Sequence, residues 1–193
     1  MTPFDKDYFQ SANYTNYLDR QEKYTRTAEE IFDRLKTFGL LNKKYSVLDF
    51  GCAVGFLSHG FRELGINDID SYDISQWAKQ QARDRGCRVV ESLRDSYDIG
   101  IFLDVLEHME DSNIEQVFRE TKFNSILVRI PCSVPAEPNK FYLEVSRRDS
   151  THINCKTPEQ WINKFRDLGY GTCLPITMST IYNSPGCFCA VFI

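Results

Sequence analysis

One stretch limits the architectures open to this chain more than any other. Residues 45–50, Tyr-Ser-Val-Leu-Asp-Phe, read as a buried strand that Gly51 breaks, after which Leu57, Phe61 and Leu64 recur at helical spacing until Gly65. The same alternation then continues. A strand is predicted over 69–72, a helix capped by Ser75, a short strand over 88–90 and an apolar strand over 98–103. Ile114, Val117 and Phe118 share one face of a helix over 113–120, and a strand over 125–130 is stopped by Pro131. Strands separated by helices require a parallel sheet, and right-handed crossovers place helices on both faces with ligands at the carboxyl ends of the strands. The expected class is therefore α/β, a three-layer, doubly wound sheet.

Flanking segments extend this frame. Before it, Ala28, Ile31, Phe32, Leu35 and Phe38 recur at helical spacing until Gly39, behind a start rich in tyrosine (Tyr8, Tyr14, Tyr17 and Tyr24). After it, residues 132–154 lose periodicity, and a long irregular segment in a small domain is more often functional than idle. Thr157-Pro158-Glu159-Gln160 is a capping box with proline at the first helical position, and Trp161, Phe165 and Leu168 form the buried face of the helix it opens. Two β-rich stretches follow, with Asn183-Ser184-Pro185-Gly186 as the turn of an antiparallel hairpin.

Composition excludes several classes. A chain of 193 residues with 42% hydrophobic content suits one domain, and no apolar run approaches the roughly 18 residues of a membrane span. With 23 lysines and arginines against 27 acids, net charge gives no hold on nucleic acid. The first residues lack the basic start and apolar run of a signal peptide, so a cytoplasmic, reducing location and free thiols are expected for the seven cysteines. Cys187 and Cys189 would share one face of a strand and pack in the core. The cysteines show no zinc-type spacing and the histidines lie far apart in sequence, so no metal site is expected.

The turn Asp49-Phe50-Gly51-Cys52-Ala53-Val54-Gly55 carries the chemistry. It fails as a dinucleotide fingerprint, since Ala53 and Phe56 stand where glycines are needed, and it lacks the Gly-Lys-Ser/Thr of a phosphate loop. It resembles the first motif of the class I S-adenosylmethionine (SAM)-dependent methyltransferases, Asp-x-Gly-x-Gly-x-Gly after a strand, with Ala53 replacing the middle glycine. The resemblance covers residues 47–130 and implies about seven strands, mostly parallel, with an antiparallel last strand. It also implies three regions of a single domain: an N-terminal helical lid over 1–44, a cofactor-binding core over 45–130 and a substrate side over 131–193.

Carried over residue by residue, the resemblance assigns the cofactor to Asp49, Gly51, Cys52, Ala53 and Gly55. Asp73, ending the second strand, can accept two hydrogen bonds from vicinal ribose hydroxyls, and Ile74 would pack on the adenine. Glu91 or Ser92 matches the position at the adenine edge. Leu103 and Asp104 open Leu103-Asp104-Val105-Leu106-Glu107-His108, which resembles the family's fourth motif in its small-molecule form; the Asn-Pro-Pro-Tyr of base-amine methylation is absent. Tyr14 or Arg20 would reach the cofactor carboxylate from the lid.

Because the sulfonium is already an excellent leaving group, catalysis asks mainly for alignment and exclusion of water. A hydroxyl acceptor also benefits from a base near neutral pH. His152 is the candidate, oriented by Asp149, with His108 at the mouth of the cleft. Arg129 and Arg147, with Asp149, are candidates for binding the substrate. The expected reaction is methyl transfer to a small polar acceptor, more readily oxygen than nitrogen or carbon, by a monomer or homodimer, with S-adenosylhomocysteine (SAH) as product. The alternatives are an RNA or protein methyltransferase, which a basic face around Arg83, Arg85, Arg88 and Arg94 would favour, and a catalytically inactive cofactor-binding or regulatory protein.

Overall fold

Both faces of the central sheet are apolar, which explains why its inner strands read as nearly unbroken hydrophobic runs. A computed structural model of the protein describes residues 3–11 and 16–193. In chain order the elements are α1 (Lys6–Phe9), α2 (Gln21–Thr37), β1 (Val47–Phe50), α3 (Phe56–Glu63), β2 (Ile69–Tyr72), α4 (Gln76–Asp84) and β3 (Ser96–Leu103). Then come α5 (Asp111–Glu120), β4 (Lys122–Pro131), β5 (Ser133–Val134), β6 (Glu137–Phe141), α6 (Glu144–Arg148), α7 (Pro158–Asp167), β7 (Cys173–Pro175) and β8 (Cys187–Phe192). No described helix is long and apolar enough to cross a membrane.

The sheet order is β2-β1-β3-β4-β8-β7, with β2, β1, β3 and β4 parallel and β8 antiparallel to both its neighbours. Val47, Ile99, Ile101, Leu127 and Val191 point to one face, where they pack with Ile31 and Leu35 of α2 and Leu57 and Phe61 of α3. Leu48, Phe50, Phe102, Val128 and Ala190 point to the other, against Ile114 of α5 and Trp161 and Phe165 of α7. This is the expected three-layer α/β arrangement. The strand order reverses between β1 and β3, and because β1, β2, β3 and β4 are parallel their carboxyl ends share one edge, where a ligand crevice opens.

Six strands pair fully, one fewer than about seven. Residues 88–90 contribute one bridge, Ser71 to Val89, secured by Ser71 N to Arg88 O and Val90 N to Ser71 O at 2.9 and 3.0 Å. Arg88 is drawn to Asp68 and Asp70, and Glu91 to Lys79 and Arg83, so the segment is held by side chains more than by a ladder. The C-terminal strands pair antiparallel as expected, but the connection between them is long. Residues 176–186 leave the sheet to lie on α2, where Ser179 N and Thr180 N donate to the Glu30 carboxylate at 2.8 and 3.0 Å and Met178 is buried. The Asn183–Gly186 turn thus leads into β8 alone.

Local signals hold at the helix ends. Ser75 Oγ accepts from Ala78 N, and in α7 Thr157 Oγ1 accepts from Gln160 N while Gln160 Oε1 accepts from Thr157 N. Phe38 lies beyond α2 and is 52% exposed, because the helix stops before the position that would have continued its buried face. The irregular segment after β4 contains the hairpin β5–β6 and the short helix α6. All seven cysteines are free.

Candidate active site

At the carboxyl edge of the strands lies a cleft of about 940 Å³, within the range of small-ligand sites. The turn after β1 forms its floor. Gly51 has φ +74° and a side chain there would collide with Val105, the nearest atom being 2.6 Å away, so glycine is required for close approach to the turn after β3. Ala53 occupies the left-handed region, with φ 48°, at the place where the family motif has glycine. Its amide donates to Asp73 Oδ2 at 2.8 Å, and Ser75 N donates to Asp73 Oδ1 at 2.8 Å. Asp73 therefore ties the first turn to the end of β2, and each oxygen keeps a second lone pair for a ligand hydroxyl.

Asp49 is buried beneath this turn. Ser58 Oγ donates to Asp49 Oδ2 at 2.6 Å, and Ser71 Oγ donates to Ser58 Oγ at 2.7 Å. Burial raises the Asp49 carboxyl to about 6, with the Ser58 hydrogen bond opposing and the charge of Asp73 adding to the rise. Burial also raises Asp73. Ile74 is 49% exposed and presents an apolar surface to the cleft.

Cys52, Ser92 and Leu103 line the same cleft, and so does Glu91, whose carboxylate is paired with Lys79 and Arg83 at 2.5 and 2.6 Å. Asp104, at φ 53°, forms an ion pair with buried Arg129, whose Nη2 also donates to Tyr182 O at 3.0 Å. Arg129 lines the cleft with its charge already matched. From the N-terminal segment, Arg20 lines the cleft beside Phe4, Tyr8, Phe9 and Tyr17, while Tyr14 lies outside the described residues.

Two expected residues fall elsewhere. Gly55 does not line the cleft; its φ is +82° and a Cβ would stand 2.8 Å from Ala82 Cβ and 2.9 Å from Cys87 Sγ, so the glycine serves packing of α3 against α4. Arg147 faces the β5–β6 hairpin, where its Nη1 donates to Phe141 O and Tyr142 O at 3.0 Å. That hairpin carbonyl pair satisfies the guanidinium away from the cleft.

The histidines are brought together from 44 positions apart in sequence: the His108 and His152 rings are 4.6 Å apart. Burial lowers both, His108 to about 4 with the neighbouring His152 adding to the shift, so both imidazoles are neutral near pH 7. Asp149 does not orient His152 by a hydrogen bond, its Oδ2 being 3.7 Å from Nε2. Instead Asp149 Oδ1 accepts from Thr151 N at 3.0 Å and from Thr151 Oγ1 at 2.5 Å, while Oδ2 accepts from Tyr8 Oη at 3.2 Å. The residue that sequence reasoning left without a role is Glu107. It is fully buried, and burial, with Asp104 next, pushes its carboxyl well above the usual range. Its position beside His108 at the end of β3 was the available signal.

The fold and this cleft agree with comparisons to known proteins. Residues 19–172 match the family described as "Methyltransferase domain". The chain belongs to that family. It is a class I SAM-dependent methyltransferase. Among solved structures it is similar to the SAH-bound magnesium protoporphyrin IX methyltransferase of Synechocystis PCC 6803, with TM-score 0.63 and 17% identity over 97% of this chain and 96% of that one. A SAM-dependent methyltransferase from Archaeoglobus fulgidus gives TM-score 0.62 and 18% identity over 91% and 98%. The methyltransferase domain of bacterial CtHen1-C gives 0.58 and 20% over 88% and 97%. A search of curated proteins by sequence gives no significant match.

The residues present fit SAM. Two buried carboxylates, a turn with a small residue at its centre, an exposed isoleucine and ample volume supply acceptors for an ammonium and a diol and an apolar plate for a base. When bound, the cofactor supplies a methyl group on a positively charged sulfur.

Proposed function

We propose that this methyltransferase acts on an oxygen of a small polar acceptor. Asp49 and the turn Gly51-Cys52-Ala53 hold the methionine part of the cofactor, and Asp73 holds the ribose with Ile74 against the adenine. His108 and His152 form the acceptor side. The observation that carries the reading is that both neutral imidazoles line the same cleft as Asp49 and Asp73, under a cover of Phe4, Tyr8, Phe9 and Tyr17. Aromatic cover excludes water, and a neutral imidazole beside the acceptor lowers the barrier to losing a hydroxyl proton.

Support for a nucleic-acid substrate weakens on the same surface. Arg83 is paired with Glu91, Arg88 and Arg94 with Asp68 and Asp70, and Arg85 donates to Val54 O and Gln81 O. Those arginines do not form an unmatched basic face. The test is SAH release from SAM across small hydroxyl and carboxylate acceptors, with His152→Ala alongside wild type. Turnover is expected to fall about 100-fold or more in the variant, with SAM affinity unchanged within about twofold. Equal turnover would remove His152 from the acceptor side.

A further inference from the structure

Glu107 is the least explained group in the molecule. Its side chain is fully buried and neither carboxylate oxygen has a hydrogen-bond partner. A carboxylate buried without donors costs several kcal/mol, which a neighbouring cation offsets. No lysine or arginine is paired with it among the described residues: the charge of Arg129 reaches it but is matched by Asp104, and the groups within 4 Å are imidazoles. Glu107 Oε1 lies 3.9 Å from Nε2 of His108 and 3.9 Å from Nε2 of His152, and the three donor atoms fall within 4.8 Å of one another.

The tautomer of His108 follows from its other nitrogen. The single proton of Thr151 Oγ1 goes to Asp149 Oδ1 at 2.5 Å, so the hydroxyl faces His108 Nδ1, 2.9 Å away, as an acceptor. Thr151 O, at 3.2 Å, is an acceptor as well. Nδ1 therefore carries the hydrogen, and the lone pair of Nε2 is directed at the cluster. An imidazole fixed through its far nitrogen by a carboxylate-backed partner is the usual support of a metal-binding histidine. The backbone is fixed too: Ile153 N and Asn154 N both donate to Glu107 O at 2.9 Å, which locks the turn after β3 to the segment carrying His152.

We propose that Glu107, His108 and His152 form a binding site for a divalent transition-metal cation, through one carboxylate oxygen and two Nε2 atoms. Ligand bonds of about 2.0–2.2 Å place such donors roughly 3.3 Å apart, so the two 3.9 Å spacings to Glu107 must close by about half an ångström and the spacing between the two Nε2 atoms, within 4.8 Å, by at most about 1.5 Å. Two imidazoles and one carboxylate suit zinc, iron(II), cobalt(II) or manganese(II) better than calcium. All three residues line the cofactor cleft, so the open coordination positions face the acceptor. Its role, which rests on the oxygen-acceptor reading above, is to bind the acceptor oxygen and make its hydroxyl easier to deprotonate; in the metal-loaded protein the imidazoles act as ligands and the hydroxyl proton passes to water. Metal binding itself is independent of that reading.

The test is titration of the full chain with Co²⁺, followed by visible absorption, which separates nitrogen and oxygen ligation from capture by the cysteine thiols. Wild type is expected to show saturable one-to-one binding without thiolate charge-transfer bands. Glu107→Gln and His152→Ala should each weaken it about 100-fold or more. Glu107→Gln keeps the shape and leaves nothing ionisable at a fully buried position, so it is expected to melt no lower than wild type, which separates lost ligation from lost folding. Absence of Co²⁺ binding, a thiolate spectrum, or binding retained in both variants would overturn the proposal. SAM binding measured on the same samples reports separately on the methyltransferase reading, so failure of one is distinguishable from failure of the other.

Discussion

Asp73→Ala is expected to weaken SAM and SAH binding by about 100-fold or more, since two hydrogen bonds to a charged acceptor contribute roughly 1.5–3 kcal/mol each. The substitution removes more than a ligand contact. Both carboxylate oxygens also accept backbone amides, from Ala53 and Ser75, and these donors would be left without their partner. Ala53 stands at φ 48°, a conformation that costs about 1 kcal/mol or more for a residue with a side chain, so the turn after β1 loses the tie that holds it in place. Affinity should therefore fall further than ribose contacts alone require, with a modest drop in melting temperature. Calorimetric titration beside a thermal melt checks both. Affinity within threefold of wild type would place the ribose elsewhere.

The second large effect is on stability. Gly55→Ala combines a left-handed backbone with a Cβ 2.8 Å from Ala82 Cβ and 3.0 Å from Ala82 Cα. Backbone atoms cannot rotate away, so α3 must shift from α4. Conformational strain of about 1–2 kcal/mol and overpacking of about 1–3 kcal/mol give roughly 2–5 kcal/mol in all. For a domain of this size that lowers the melting temperature by about 10 °C. Since Gly55 does not line the cleft, SAM affinity of the folded variant is expected to stay near wild type. Unchanged melting with weakened SAM would reverse the assignment and return Gly55 to the cofactor, as the family motif implies.

These two residues also show what was legible in the sequence. Periodicity placed every strand of the parallel core and the helices around it, because buried strands and amphipathic helices write their burial directly into residue order. Asp73 could be singled out, since an acid at a strand end follows from the same order. Gly55 is less legible: whether a glycine faces a ligand or a helix depends on what packs there, and Ala82 and Cys87, which a side chain at this position would meet, come from α4 and the segment after it. The surroundings of Arg147 are hidden for the same reason, its partners being carbonyls at the end of a hairpin that no periodic pattern announces. The His108 and His152 pair, with Glu107 between, was least legible. It exists only because the segment after β4 folds back so that Ile153 N and Asn154 N reach Glu107 O, a long-range contact without any local signature.

In the proposed reading one cleft holds the cofactor on Asp49 and Asp73 and turns its methyl toward Glu107, His108 and His152. A crystal structure of the protein with SAH bound tests it most directly. The ribose hydroxyls are expected on the Asp73 carboxylate, with the sulfur facing the two imidazoles. A ligand seated outside the cleft, or one bound there with its sulfur turned away from His108 and His152, would contradict it.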